Sequence, residues 1–454
     1  MKQFINKIKV GTKGMIPLFL FTFMPTHAQK QWTMQECIDY AMQNNITLQK
    51  ARLSQQSAVE DVKGSKGALL PTVSASANQS LGYRPWQDTG STTVTNGMVN
   101  TKVDKTYLNG SYGVNAQWTV WNGNRNRNTV KLNELSAIQA ELDSATTANS
   151  IQEQIAQLYV QILYSTEAIN VHKSSLETSK KNEQRGQEFV NVGKMSKADL
   201  SQLTSQRAQD EYSIVEAESN LRNYKRQLKQ LLQITDDEEF DIVVPVTTDE
   251  MALQDIPQMQ TVYASALVTR PEIQNAKLGI ESSNLNIKLA KAQKLPTIGV
   301  SGSAITNTTS MGNNSLGTQL KTNFNLGAGV SVSIPLLDNR STKTAVNKAT
   351  IQKMNYMLDL QDKQTSLYST IENYWLQAVT NQNKFKAAKV ATASQETSYE
   401  LLSEQFRLGL KNIIELMNGK QNLLQAQQNE LQSKYMTILN IEMLKFYQDG
   451  QIKD

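Results

Sequence analysis

The chain contains the same pattern twice, and this duplication constrains the fold more than any other feature. Leu70-Pro71-Thr72-Val73 in the first copy matches Leu295-Pro296-Thr297-Ile298 in the second, and the same offset relates the residues that precede them. Further on the offset becomes shorter, because the segment 72–117 is nine residues longer than the segment 297–333. Two copies with one length change indicate a duplicated structural unit. We predict repeat one over residues 34–232, a connecting insert over 233–260 and repeat two over 261–448.

Residues 1–28 are predicted to form a secretory signal peptide, which leaves residues 29–454 as the mature protein. Four lysines precede an apolar run from Met15 to Met24, and Thr26-His27-Ala28 supplies small residues at the cleavage positions. The run is too short to serve as a spanning helix. Without the four lysines of the signal peptide, the mature chain keeps 42 of the 46 cationic residues against 41 acidic ones. The composition therefore does not favour nucleic acid as a partner.

The sequence offers little material for catalysis or metal binding. Cys37 is the only cysteine, and no lipoprotein cleavage box precedes it, so we predict a buried helix residue rather than a lipid attachment site. Beyond the signal peptide His172 is the only histidine. A histidine-dependent triad or a metal site built on thiolates or imidazoles is therefore excluded. We predict a protein that is not an enzyme and needs no cofactor.

Two segments are predicted to form unusually long helices. Residues 126–185 and 341–408 contain neither glycine nor proline, which weaken or break helices. At ~1.5 Å per residue, each helix would extend roughly 90–100 Å. Leu135, Ile138 and Leu142 follow the three-four spacing of a coiled-coil seam. These helices are therefore expected to pack lengthwise against one another as coiled-coil hairpins.

Between the helical blocks the apolar spacing changes to two, which predicts β-strands. In the first copy small polar residues alternate with a row of larger ones, namely Tyr112, Val114, Ala116, Trp118 and Val120. The segment 324–336 repeats this alternation. We predict one β-hairpin per copy, over residues 72–121 and 297–337, with long polar tips. One face of each strand is apolar and the other carries small polar side chains, as in strands that lie between lipid and a water-filled lumen. The alternative is a soluble β-sandwich.

Four strands are too few to close a barrel, because about eight are needed before the interior even fills with side chains. Closure therefore requires several chains. Three copies would supply about twelve strands, leave an open channel and remove every unpaired edge. We accordingly predict a homotrimer embedded in lipid.

The order of these motifs resembles the TolC-like outer-membrane efflux family. Leu-Pro-Thr-Val leads into the hairpin, Trp121-Asn122-Gly123 leads out of it, and a glycine-centred turn joins two long helices. The turns at 192–200 and 408–416 share a Gly-to-acid spacing of six. The resemblance implies mixed α and transmembrane β structure, in which a trimer forms a 12-stranded β-barrel continuous with a periplasmic α-helical barrel.

The resemblance also implies roles for particular residues at the helix tips. A constriction would be lined by Glu415 and Asn418, while Asp199, Lys411 and Phe406 fall where the family has tip residues that hold the entrance shut. Phe406 lacks the hydroxyl of the family's usual tyrosine, and Asn418 removes one possible charge per protomer. Contact with a periplasmic adaptor (membrane fusion) protein is implied for Val192, Gly193, Lys194, Leu408, Gly409 and Leu410.

We therefore predict an exit duct in the outer membrane of a Gram-negative-type cell, with a large periplasmic portion. It would serve a tripartite efflux pump, passing substrates from an inner-membrane pump through an adaptor. One alternative is the outer-membrane channel of a type I protein secretion system. An alternative from another class is a periplasmic coiled-coil structural or adhesive protein, for which the alternating strands would be unnecessary.

Overall fold

A computed structural model describes residues 31–87, 89–94, 97–102, 104–235, 240–245, 247–450 and 452, with the backbone alone for 91–94 and 97–102. The predicted signal peptide lies outside the described residues. The described part consists of ten helices and eight strands. The helices, in chain order, are α1 (Met34–Asn44), α2 (Ile46–Gly67), α3 (Arg125–Asn191), α4 (Lys197–Leu232), α5 (Asp249–Ala252), α6 (Met259–Thr269), α7 (Pro271–Ala292), α8 (Leu316–Thr322), α9 (Ser341–Arg407) and α10 (Ile413–Asp449).

The main helices of the two halves correspond one to one. α1 and α6 both have 11 residues, α2 and α7 both have 22, and α3 and α9 both have 67. The first two pairs are related by the longer of the two sequence offsets, while α3 and α9, like α4 and α10, are related by the shorter one. A helix of 67 residues extends about 100 Å, as the absence of glycine and proline predicts. No helix in the described part of the chain has an apolar stretch long enough to cross a membrane.

The helices lie side by side in two four-helix layers that share α3 and α9. Near the strands the order is α2, α3, α7, α9, and toward the helix tips it is α4, α3, α10, α9. The main core lies between these layers, where α1 and α6 pack onto the long helices. Cys37 is fully buried there, as predicted.

The strands, in chain order, are β1 (Gln31–Trp32), β2 (Thr72–Tyr83), β3 (Thr89–Val94), β4 (Gly97–Lys102), β5 (Thr106–Trp121), β6 (Asp241–Ile242), β7 (Thr297–Thr309) and β8 (Asn325–Ser333). An antiparallel sheet has the order β2-β5-β7-β8, so the two predicted hairpins pair with each other. The tips contain regular structure that we did not predict: β3 pairs with β4 in the first tip, and α8 lies in the second. β1 pairs in parallel with β6.

The strand register places the larger apolar side chains on one face of this sheet. Val300 lies between Trp118 and Val330, whereas the next residue, Ser301, lies between Gln117 and Gly329. Side chains of successive residues point to opposite faces. The sheet therefore has an apolar face and a face of small polar residues, as the alternation predicts.

A bulge changes this pattern at the end of β5. The register shifts between Thr119 and Trp121, so that Trp121 pairs with Ile298. Val120 is the extra residue of this bulge, since a bulge sets two residues of one strand against one of its neighbour. Trp121, a large amphipathic ring, follows it and lies opposite Ile298.

The two passages from strand to helix have the same unusual backbone. Gly123 and Asn124 both have positive φ (66° and 61°) just before α3, and Asn339 and Arg340 do so (46° and 67°) just before α9. Two consecutive left-handed residues redirect the chain sharply, although only glycine adopts this conformation without steric cost. The sharp turn is therefore part of the duplicated unit, and it immediately precedes each 67-residue helix.

The register leads to a prediction about substitutions on the sheet. If the apolar face contacts lipid, Val330→Arg at mid-strand should destabilise the assembled sheet by about 2–4 kcal/mol, because a guanidinium would enter hydrocarbon. Ser331→Arg, one residue along, is the matched control and should cost much less. Urea titration of protein folded into lipid vesicles measures both values, and equal destabilisation would contradict the assignment of the faces.

Candidate functional site at the helical tips

A glycine in the left-handed conformation ends the first helix of each helical hairpin. Gly193 has φ of 72° and Gly409 has φ of 77°. In the first turn the Lys194 N–H donates to the Phe189 carbonyl (2.8 Å), and the Gly193 N–H donates to Val190 (3.0 Å). The second turn repeats both bonds at 2.9 and 3.0 Å. This pattern is the Schellman motif, which satisfies the last carbonyls of a helix.

The acidic residue six positions beyond each glycine lies in the first turn of the returning helix, beside its cap. The Asn412 side-chain oxygen accepts from the Glu415 N–H (2.9 Å), and the Glu415 carboxylate accepts from the Asn412 N–H (3.3 Å). This is a complete capping box. In the first hairpin Ser196 accepts from the Asp199 N–H at 3.1 Å. The Gly-to-acid spacing of six thus encodes a helix end, a turn and a helix start.

Glu415 is in addition one half of an ion pair on the surface of the tip. Its carboxylate accepts a hydrogen bond from the Lys411 ammonium at 2.8 Å, and the two side chains are 40% and 38% exposed. The bond from Lys411 and that from the Asn412 amide hold the pKa of Glu415 below its ordinary value. Glu415 therefore stays ionised at neutral pH. Asn418, one turn further along α10, is exposed.

Asp199 and Lys411 line the same cleft but bind other partners within the protomer. They line one cleft of about 340 Å³ between the two turns. The Asp199 carboxylate accepts from the Ser196 hydroxyl at 2.8 Å, while Lys411 binds Glu415. Two of the residues implied to hold the entrance shut thus line the same cleft, and each is engaged within its own helical turn.

Phe406 is buried in the tip, at 3% exposure, and packs on the ring of Phe189 with centroids 5.9 Å apart. The surrounding cluster consists of Leu203, Tyr399, Ile413 and Leu416. This position explains the absence of a hydroxyl, because an unpaired polar group would be costly there. Phe406 therefore joins the two helical hairpins through packing.

The six residues implied to contact an adaptor all lie at the surface of the tips. Val192, Leu408 and Leu410 are 66%, 59% and 71% exposed. Ile414 is also exposed and lines the cleft beside them. Exposed apolar side chains grouped in one place are typical of a surface that another protein covers.

Sequence reasoning missed a buried ionic cluster a few turns from the turn glycines. The Lys420 ammonium binds the Asp210 carboxylate and donates to the Ser179 hydroxyl (2.6 Å), which in turn donates to Asp210 at 2.6 Å. Lys420 and Asp210 are 6% and 4% exposed. Burial lowers the pKa of Lys420, and the adjacent carboxylate opposes this effect. The sequence contained one sign of this cluster, because Lys420 lies on the same face of α10 as the buried residues Ile413 and Leu416.

The turn geometry predicts opposite effects for two glycine substitutions. Gly409→Ala should destabilise the tip by about 1 kcal/mol or more, because an L-residue is strained at positive φ. Gly64→Ala, within α2 and with open space around its Cβ, should stabilise that helix by roughly 0.5–1 kcal/mol. Hydrogen–deuterium exchange of peptides from 405–415 and 58–67 reports both. Unchanged exchange at 405–415 in Gly409→Ala would contradict the assigned turn.

Comparison with known proteins agrees with this architecture. The chain is 19% identical over 419 residues to the outer membrane efflux protein BepC of Brucella suis, covering 92% of this chain and 85% of that protein. It is 21% identical over 447 residues to the outer membrane protein TolC of Vibrio cholerae, covering 95% and 94%.

Solved channels have the same fold. CusC superposes with a TM-score of 0.79 at 15% identity over 92% of both chains, and the Campylobacter jejuni outer membrane channel CmeC with 0.75 at 19% identity over 93% and 87%. The family model described as outer membrane efflux protein matches residues 37–232 and 262–445, that is, both halves of the chain. The protein is a member of the outer membrane efflux protein family.

Proposed function

We propose that three copies of this chain close into one tube that forms the outer-membrane exit duct of an efflux pump. The observation that carries this proposal is the four-stranded sheet, which has one apolar face and two outer strands, β2 and β8, each with a single neighbour among the described strands. In hydrocarbon every backbone N–H and C=O needs a partner. Joining β8 of one copy to β2 of the next satisfies both edges.

The outer helices carry apolar residues that a ring of protomers would bury. In the layer near the strands, α2 exposes Ile46 and Leu53, and α9 exposes Ile351, Met354 and Leu358. α2 and α9 are the two outer helices of that layer. A contact between two different surfaces of identical chains closes into a ring when the rotation permits. Three copies give about twelve strands, which is enough for an open lumen.

In such a tube the polar strand face would line the lumen, and the helices would extend the passage into the periplasm. The duct performs no chemistry. The exposed apolar residues around Gly193 and Gly409 would bind a periplasmic adaptor, and an inner-membrane pump would supply the substrate. The relatives named for efflux favour efflux over protein secretion. A one-sided apolar sheet with open edges has no use in a purely periplasmic coiled-coil protein.

The first test of the proposal is the oligomeric state. Because closure requires several chains, the folded protein purified from membranes in mild detergent should be a trimer. Light scattering combined with refractive index and absorbance gives the protein mass independently of detergent. A folded monomer that resists protease in detergent would contradict the tube.

The second test concerns the entrance. Three Glu415 carboxylates at a narrow constriction would attract cations, so Glu415→Gln should reduce the cation preference of the channel in planar bilayers and weaken block by multivalent cations. Because the pKa of Glu415 lies below its ordinary value, the same preference should persist at neutral pH and disappear only in acid, as the carboxylates become protonated.

Variants around Glu415 make this test specific. Lys411→Ala removes the partner of Glu415 but keeps the three carboxylates, so it should loosen the closed entrance, raise conductance and preserve cation preference. Asp199→Ala should also raise conductance. Glu404→Gln is the matched control, since Glu404 is an exposed acid of the same tip, paired with Arg407. Equal effects of Glu404→Gln and Glu415→Gln would show that Glu415 lines no constriction.

A further inference from the structure

A basic cleft lies between the start of α3 and the end of α7, close to the end of the sheet. Its volume is about 460 Å³. Leu295, which comes just before β7, forms an apolar part of its wall. In the described part of the chain, the charged residues that line the cleft are all cations, namely Arg127, Lys131, Lys288 and Lys291.

The charge of this cleft is not neutralised within the protomer. Its four cations form no ion pair with any residue that the structure describes. The equivalents of its two α7 lysines in the first copy are Lys63 and Lys66, which form ion pairs with Glu60 (2.7 Å) and Glu134 (2.9 Å). Both copies therefore keep two lysines one turn apart, but only the first copy supplies acidic partners for them. In the second copy the positive charge is available to an anion from outside the chain.

The cleft lies at the level where the proposed duct would leave the hydrocarbon. Trp121 ends β5, and the ring nitrogen of Trp118 donates to the Leu69 carbonyl at 2.9 Å. Such amphipathic rings favour the boundary between hydrocarbon and headgroups. Arg127 follows in the first turn of α3, and Lys291 lies in the last turn of α7. Long cationic side chains at this level extend readily to headgroup phosphates.

The phase of α3 places the cleft on the outer side of the proposed tube. Lys131 and Tyr159 are 28 residues, or four heptads, apart, so they face the same side of a helix that packs lengthwise. The Tyr159 hydroxyl donates to the carbonyls of Trp32 (3.3 Å) and Val243 (2.7 Å). β1 and the segment after β6 therefore cover this side of α3. Inside the ring they would obstruct the passage, so this side faces outward.

We propose that the cleft binds the phosphate of an anionic phospholipid in the periplasmic leaflet of the outer membrane. The four cations would surround the phosphate, and Leu295 would contact the adjoining part of the acyl chains. A zwitterionic headgroup should bind less well, because it carries a cation that the cleft repels. This inference rests on the proposed duct, and it names the class of lipid that three such clefts would hold around its base.

Lipid binding to the trimer purified in neutral detergent tests the proposal. Phosphatidylglycerol should raise the unfolding temperature, and an equal concentration of phosphatidylcholine should raise it much less, because a ligand stabilises the state that binds it. Lys288→Gln with Lys291→Gln should weaken the apparent affinity for phosphatidylglycerol about tenfold or more. The matched control is Lys173→Gln with Lys180→Gln, which removes the same charge from exposed lysines of α3 far from the sheet.

A charge-conserving variant keeps the test independent of folding. Lys288→Arg with Lys291→Arg should bind phosphatidylglycerol as the native protein does. Equal stabilisation of the native trimer by both lipids would overturn the proposal, and so would equal losses of affinity in the two glutamine pairs.

The source of the phosphate is tested with glycerophosphoglycerol, which is the same headgroup without acyl chains. At a concentration equal to that of the lipid it should not displace phosphatidylglycerol. Full displacement would show a site for soluble anions and would overturn the assignment to lipid.

Channel recordings in phosphatidylcholine bilayers test which side the cleft faces. Lys288→Gln with Lys291→Gln should leave the ion selectivity unchanged, because the cleft lies outside the lumen. A shift toward cations would place the cleft in the passage and overturn the lipid site. Each of these failures leaves the trimeric duct intact, whereas a folded monomer would overturn the duct and this inference with it.

Discussion

A strand edge cannot remain unpaired in hydrocarbon, and the architecture of this protein follows from that constraint. The sheet of β2, β5, β7 and β8 is too narrow to close on itself, yet one of its faces is apolar. Two edges that need partners and a face that suits lipid together call for further copies of the chain. The helices α3 and α9 continue the side-by-side arrangement of the strands, and each begins just after a sharp left-handed turn.

The two copies of the unit keep their backbone but have diverged in their side chains. Asn45 caps α2 through its side chain and donates to the Leu231 carbonyl. The equivalent position in the second copy is Arg270, which is 5% exposed. It pairs with Glu272 (2.9 Å) and Glu153 (3.2 Å), and its guanidinium lies 4.3 Å from the centre of the Tyr447 ring. A local cap in one copy has become a contact among α3, α7 and α10 in the other.

At the tips, groups that shape the backbone also supply charge. Glu415 completes a capping box and pairs with Lys411, so its position is set by the start of α10 rather than by a flexible loop. In the proposed trimer the three Glu415 carboxylates would stand at equal heights around a common axis. Further inside, the Lys420–Asp210 pair joins the hairpins with buried charge. Such a pair adds little net stability, since desolvation offsets most of the attraction, but removing one partner is costly because it leaves a buried charge unpaired.

Local physics made much of this fold predictable. Residues 126–185 and 341–408 contain neither glycine nor proline, so nothing in them interrupts a helix. The three-four spacing of their apolar residues then predicts long helices that pack against one another. Strict alternation assigned the sheet faces, because side chains alternate along any strand. The spacing of six from Gly409 to Glu415 located the second hairpin turn, because both helix caps lie within that short stretch. The duplication, read from the sequence alone, located the equivalent turn at Gly193.

Only the tertiary structure decided features that depend on residues far apart in the chain. The bulge that brings Trp121 opposite Ile298 arises from pairing between the two copies. Phe406 is buried because α3 presents Phe189 to it. Lys420 finds Asp210 and Ser179 across 210 and 241 residues. The sequence determined the extent of the long helices, the alternation of the main strands and the helix ends at the tips, since these depend on neighbours within a few turns, whereas the partners across each seam depend on how the finished helices pack.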